Sequence, residues 1–161
     1  AVRKMGTIGG SIGNSDPAAD WPAAILALKS KIKTNNRIIQ NRDLFTGMFE
    51  TSLEENEIIT SIEIQVPDFF DYIKFPNPAS RYAIVGIAIA KYDSNVIVTV
   101  TGASHKPFIA DSLSESLSKN FSSKIPLKTI SLDELNEDIH ASAEYRAHLI
   151  DVLTKKIINN N

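Results

Sequence analysis

Residues Met5 to Pro22 read MGTIGGSIGNSDPAADWP, and the rest of the chain is understood outward from them. Glycines at positions 9, 10 and 13 carry no Cβ, which lets backbone N–H groups come close to a ligand. Thr7, Ser11 and Asn14 add short hydroxyl and amide groups beside them. The pattern predicts a glycine pair turning out of a strand, then a helix with Asp16 as its N-cap and Pro17 at its first position. Free amides at a helix N-terminus attract phosphate. A double glycine between a strand and a helix is also a common tight turn, so spacing by itself leaves a phosphate cradle and a bare turn both open.

The predicted helix runs from about Pro17 to Lys31, with Trp21, Ile25 and Leu28 on one face. Strands are expected at Arg37 to Gln40 and at Glu57 to Val66. In the second, Ile58, Thr60, Ile62 and Ile64 alternate with Ile59, Ser61 and Glu63, as in a sheet with one better-buried face. Pro67 ends that strand, and the proline and acidic residues of Pro67 to Asp71 mark a lobe boundary. Three antiparallel strands are expected at Tyr72 to Phe75, Tyr82 to Tyr92 and Val96 to Gly102, the last two joined through Asp93-Ser-Asn. Helices are expected at Ser112 to Phe121, from Ser131 and from Ser142. The last presents Tyr145, Leu149, Val152, Leu153 and Ile157 as a stripe that covers one face of the sheet. The expected fold is α+β, with one part over residues 1–70 and another over 71–161.

Composition narrows the function. The 161 residues carry 17 basic and 19 acidic side chains, a net charge of −2 without a basic cluster, which argues against nucleic acid as a partner. There is no cysteine, so disulfides, thiolate zinc sites and cysteine-held iron–sulfur clusters are excluded. His105, His140 and His148 are scattered without metal-ligand spacing, and the serine-rich Asp111 to Ser123 holds no nucleophile elbow. The apolar run Ala83 to Ala90 is too short to span a bilayer and no leader opens the chain, which leads to the expectation of a cytoplasmic protein.

Several stretches, in order, resemble one family. They are Thr7-Ile-Gly-Gly-Ser with Asp16-Pro-Ala-Ala-Asp, Asp43-Leu-Phe-Thr-Gly-Met-Phe-Glu-Thr-Ser-Leu, Asn56-Glu-Ile-Ile-Thr-Ser-Ile-Glu-Ile, Tyr72-Ile-Lys-Phe, Ser80-Arg-Tyr-Ala-Ile-Val-Gly-Ile-Ala, and Ser142-Ala-Glu-Tyr-Arg-Ala-His-Leu. Together they are similar to the C-terminal part of the FAD-binding medium subunit of molybdenum hydroxylases, the xanthine dehydrogenase and aerobic carbon monoxide dehydrogenase family. The resemblance implies that an N-terminal lobe with a first glycine pair is missing, through a split gene, proteolysis or truncation, so that this piece alone is inactive. It further implies a three-stranded sheet packed by helices on one face.

By this resemblance, the chain binds FAD and passes electrons from the iron–sulfur clusters of a small partner subunit to an external acceptor. The molybdenum cofactor belongs to a large partner subunit, and no catalytic acid or base comes from this chain. Thr7, Ile8, Gly9, Gly10 and Ser11 match the second diphosphate loop, with Asn14 nearby. Asp20 matches an acid at the adenosine end of FAD, and Ile59 and Thr60 a strand beside the isoalloxazine ring. Lys74 matches a lysine near the ring's pyrimidine end, and Tyr82 an aromatic residue near its face. The alternative is a truncated module that only packs against partner subunits.

Overall fold

The computed structural model describes residues 2–124 and 130–160. Short helices α1 (Val2–Met5), α2 (Ile8–Asn14) and α3 (Asp20–Ala27) lead into strands β1 (Lys31–Thr34) and β2 (Ile38–Gln40). Helix α4 (Asn41–Leu44), the ribbon β3 (Phe45–Gly47) and β4 (Glu50–Thr51), and strand β5 (Ile59–Glu63) follow. The chain continues through β6 (Phe69–Pro76), β7 (Ala83–Tyr92), β8 (Asn95–Thr101), β9 (Phe108–Ile109) and α5 (Asp111–Lys119), then a 3-10 turn at Leu132–Glu134 and α6 (Ala143–Asn159). Besides the β3-β4 ribbon, the described residues form two antiparallel sheets, ordered β2-β1-β5 and β6-β7-β8-β9. The α+β class is as expected.

The larger sheet has four strands rather than three. Strand β9 pairs Ile109 with Thr99 and Phe108 with Val100, and two residues are too few to leave a periodic signal in a sequence. Helices also cover both faces, not one. On β7 and β8, Val85, Ile87, Ile89, Val98 and Val100 face α5 and α6. The alternate residues Ala88, Ala90 and Ile97 pack with Ala23 and Ala27 of α3. Alanine on both partners lets the helix lie close, and a strand buried on both faces reads as a continuous apolar run.

Helix α3 is shorter than the sequence suggests. Asp16 does not cap it: its Oδ1 accepts from the Ala18 amide at 2.9 Å in a local turn, and the N-cap is Ala19. Residues 17–19 are drawn into the sheet instead. The Pro17 carbonyl accepts from the Gly102 amide at 2.7 Å and from Thr101 Oγ1 at 2.6 Å. The single Thr101 hydroxyl hydrogen is shared between Pro17 O and Ala19 O, the latter at 2.9 Å, and the Ala83 amide donates to Ala18 O. At the other end Lys29 adopts φ 40°, and the Asn41 side-chain amide donates to the carbonyls of Ile25 and Leu26 at 2.9 Å each. Those orphan carbonyls are thus satisfied and the chain is free to enter β1 at Lys31. Trp21, expected on the packed face, is 48% exposed.

The alternation expected over residues 58–64 is reset by a bulge. Lys33 pairs with Ser61 and Thr34 with Ile59, leaving Thr60 as the extra residue. Ile59 and Ile62 therefore both turn toward the small core of Ile12, Ile25, Ile32 and Leu44, while Ile58 and Ile64 are exposed. In α6, Ser142 caps the helix through the Tyr145 amide as expected. The buried stripe is rotated to Arg146, Leu149, Ile150, Leu153 and Ile157, leaving Tyr145 and Val152 partly exposed. A periodicity count treats arginine as a surface residue. Here its Nη1 donates to Ile84 O at 2.7 Å and Gly102 O at 2.9 Å, and its Nη2 donates to Asp138 at 2.7 Å, so the charge is paired and tolerated inside.

A glycine is obligatory at position 102. Its φ is +81°, and a Cβ there would stand 2.4 Å from Ala83 O and 2.8 Å from Ile84 O. Gly102→Ala should lower the unfolding free energy by roughly 2–4 kcal/mol, read as a reduced midpoint in urea with an unchanged slope.

Glu57 ties β1 to the loop before β5. It accepts from Thr34 Oγ1 at 2.7 Å, Arg37 Nε at 3.0 Å and the Glu54 amide at 2.8 Å. The Arg37 hydrogen bond leads these in lowering its pKa to about 2 from an ordinary 4.5. A depressed carboxylate pKa stabilises the fold fully above the unfolded value, and that contribution is lost as pH falls from about 4.5 toward 2. Glu57→Gln should flatten this acid limb when urea midpoints are compared across that window.

Candidate functional site

The glycine stretch is itself helical. Thr7 is the N-cap of α2 and its Oγ1 accepts from the Gly10 amide at 3.0 Å, while the Ser11 amide donates to Thr7 O. A helix carries the glycines, in place of the strand and turn that their spacing predicts. Three glycines in a seven-residue helix cost roughly 1 kcal/mol each relative to alanine. The protein's own packing gives little in return. A Cβ on Gly9 would meet Ile59 at 3.9 Å and one on Gly13 would meet Leu53 at 3.9 Å, both ordinary contacts. At Gly10 a Cβ would stand 3.0 Å from Thr7 Oγ1, a tight approach to a side-chain hydroxyl that is itself exposed. None of the three has a positive φ. Bare backbone on an exposed helix start, unneeded by the fold, suits a ligand that lies against it.

Beside this helix runs a cleft of roughly 370 Å³, lined among others by Ser11, Asp20, Trp21, Lys74, Arg81 and Tyr82. Asp20 stands in the first turn of α3, where a carboxylate is favoured. Tyr72 and Lys74 are two residues apart on β6 and so share a face. Both reach Asp20: Lys74 Nζ lies 2.9 Å from Oδ2 and 3.0 Å from Oδ1, and the Tyr72 hydroxyl donates to Oδ1 at 2.5 Å. The turn from Asn77 to Tyr82 presents Arg81, at φ 66°, and Tyr82, 47% exposed.

Of the residues singled out in the sequence, the cleft brings together Ser11, Asp20, Lys74 and Tyr82. Thr7, Ile8, Gly10 and Asn14 are exposed on α2 or at its cap. Gly9 faces Ile59, which is part-buried beneath the helix. Thr60 is exposed at the bulge and donates to Lys33 O at 3.1 Å. Asp20 and Lys74, assigned by resemblance to opposite ends of one cofactor, form a single ion pair here. Trp21, Tyr72 and Arg81 are not among the site residues expected from the sequence, although the period-two spacing of Tyr72 and Lys74 places them side by side.

The class is thus an α+β fold that carries an open cleft beside a glycine-rich helix. Residues 1–67 match the FAD binding domain in molybdopterin dehydrogenase. The chain is 33% identical to the glyceraldehyde dehydrogenase medium chain of Sulfolobus acidocaldarius, covering 96% of this chain and 61% of that one. It is 32% identical to the nicotine 6-hydroxylase medium subunit of Paenarthrobacter nicotinovorans, covering 98% and 61%. Among solved structures it superposes on quinoline 2-oxidoreductase from Pseudomonas putida 86 with a TM-score of 0.80 at 20% identity, over 99% of this chain and 61% of that one. The CO dehydrogenase from Oligotropha carboxidovorans gives a TM-score of 0.78 at 24% identity, over 96% and 60%. The two structural likenesses establish the fold. The chain is a homologue of the FAD-binding medium subunits of molybdenum hydroxylases, and it spans 61% of the length of these two sequence relatives. Among the described residues no helix is long and apolar enough to cross a membrane.

Burial, then the hydrogen bond and charge of Asp20, push the Tyr72 phenol well above its ordinary pKa. A raised phenol pKa stabilises the fold fully below about pH 10, the ordinary tyrosine value, and that contribution is lost as pH rises beyond it. Ultraviolet titration should show Tyr72 ionising later than an ordinary tyrosine, with Asp20→Asn bringing it earlier but not back to the ordinary value.

Proposed function

We propose that this chain binds FAD and serves as the electron-transfer flavoprotein part of an oxidoreductase complex. The observation that carries the reading is the glycine-bare start of α2, which the fold does not need and which lies within residues 1–67, matched to an FAD binding domain. Thr7, Ile8, Gly9, Gly10 and Ser11 would hold the diphosphate, Ile8 and Gly9 through their amides at the helix start, Gly10 by carrying no side chain in the approach, and Ser11 through its hydroxyl. Asn14 would lie alongside. The cleft volume is in the range of small-molecule sites. Lys74 and Asp20 would act as one unit in it, a cation held by a carboxylate next to the aromatic faces of Trp21 and Tyr82. Ile59 and Thr60 would support α2 from β5.

Bound FAD supplies two-electron and one-electron chemistry that no side chain here can provide. The chain's own work is to bind, orient and shield it. By analogy with the relatives, named as medium subunits of dehydrogenases and hydroxylases, electrons would arrive from an iron–sulfur partner fed by a molybdenum subunit and leave to an external acceptor. Residues 1–70 would form the second FAD-binding lobe and 71–161 a C-terminal domain. An N-terminal lobe would complete the site, and the complex would work in the cytoplasm.

Titration of the chain with FAD, followed by flavin fluorescence, tests the reading. Saturable binding is expected, and Gly10→Val should weaken it by roughly tenfold, about 1.4 kcal/mol, with the melting midpoint little changed because the position is exposed. Equal affinity in the variant would remove the glycine helix from the site.

A further inference from the structure

We infer that Tyr72, given room by Gly86, is a positioning residue that fixes the Asp20–Lys74 pair in the cleft. The role of the pair toward FAD rests on the reading above; its fixing by Tyr72 does not.

The argument begins from the weakness of the pair by itself. The side chains of Asp20 and Lys74 are 47% and 27% exposed, and an ion pair at that level of exposure contributes little and is readily exchanged for water. What distinguishes this one is a third partner. The Tyr72 phenol, part-buried against the sheet, donates to Asp20 Oδ1 at 2.5 Å, on the same oxygen that Lys74 Nζ approaches at 3.0 Å. A carboxylate held by a rigid ring on one side has few orientations left, and the ammonium follows it.

The strand beneath is shaped to allow this. Gly86 pairs with Lys74 on one side and Thr101 on the other, in the middle of the sheet. Glycine at the centre of a strand costs roughly 0.5–1 kcal/mol. Here the reason is visible: a Cβ at Gly86 would stand 2.6 Å from the Tyr72 hydroxyl and 2.7 Å from Thr101 Cγ2. The phenol therefore occupies the space a side chain would fill on its way to Asp20. Asp20 in turn is delivered by α3, whose entry is fixed by the Thr101 hydroxyl on the carbonyls of Pro17 and Ala19. Gly86, Tyr72 and Thr101 form one device on one face of the sheet.

The test reads Lys74 directly. Acetic anhydride labelling under limiting conditions, resolved by peptide mass spectrometry, should show Lys74 reacting slowly in the native chain. Tyr72→Phe removes one oxygen and keeps the ring, and it should speed Lys74 labelling by roughly two- to fivefold. Gly86→Ala should do the same by displacing the phenol. Unchanged Lys74 reactivity in a folded Tyr72→Phe protein overturns the inference, whatever the flavin does. In FAD titrations of the same proteins, Tyr72→Phe should weaken binding by about threefold in the native background and no further in a Lys74→Met background; equal losses in both backgrounds overturn the claim that Tyr72 acts through Lys74. If the native chain binds no FAD, the flavin reading fails while the labelling contrast still decides the positioning role.

Discussion

Everything at the site depends on how α3 is seated on the larger sheet. Helix and sheet meet through alanines, Ala23 and Ala27 against Ala88 and Ala90, so backbones come close enough for side-chain hydroxyls of β8 to reach helix and loop carbonyls. Thr99 donates to Ala23 O at 2.8 Å and Thr101 to Pro17 O and Ala19 O. Pro17 O accepts from the Gly102 amide as well, and each hydroxyl–carbonyl bond of this kind contributes about 0.5–1.5 kcal/mol. The position of Asp20, and with it one wall of the cleft, is set by these bonds.

The opposite face is tied to the same place. Gly102 donates its amide to Pro17 O and gives its carbonyl to the buried Arg146 of α6, which also holds Ile84 O. Asp138 completes the arginine's pairing. Burial works to raise the Asp138 pKa, but hydrogen bonds from the His140 and Ala141 amides and the arginine itself bring it below the ordinary value. One strand end thus joins the anchorage of a helix on each face. The Asn77 to Tyr82 turn, which leads straight into β7 at Ala83, inherits that rigidity.

The α2 helix stands apart from this economy. It is short, carries three glycines, and rests on β5 through Ile59 without using them for close packing. Natural chains depart from local propensity mainly where function asks for it. Gly102 and Gly86 are each forced by atoms less than 3 Å from the missing Cβ, backbone carbonyls at one and the Tyr72 and Thr101 side chains at the other, whereas a Cβ at Gly10 would meet the Thr7 hydroxyl at 3.0 Å on an exposed helix start.

Much of the plan was legible in the sequence. Continuous apolar runs marked β7 and β8, the Asp93-Ser-Asn signal between them marked their hairpin, which closes on Asn95 paired with Tyr92, Ser142 announced α6, and the ordered motifs announced the family. These are local signals, carried by periodicity, capping and turn chemistry. The sequence could not show that Asp16 serves a local turn while strand ends claim residues 17–19, that a bulge at Thr60 turns both Ile59 and Ile62 inward, or that Arg146 lies inside. Nor could it bring Asp20 and Lys74, 54 positions apart, to 2.9 Å. Each of these turns on a partner distant in sequence, and hydrogen bonds and close packing between distant segments exist only once the chain has folded.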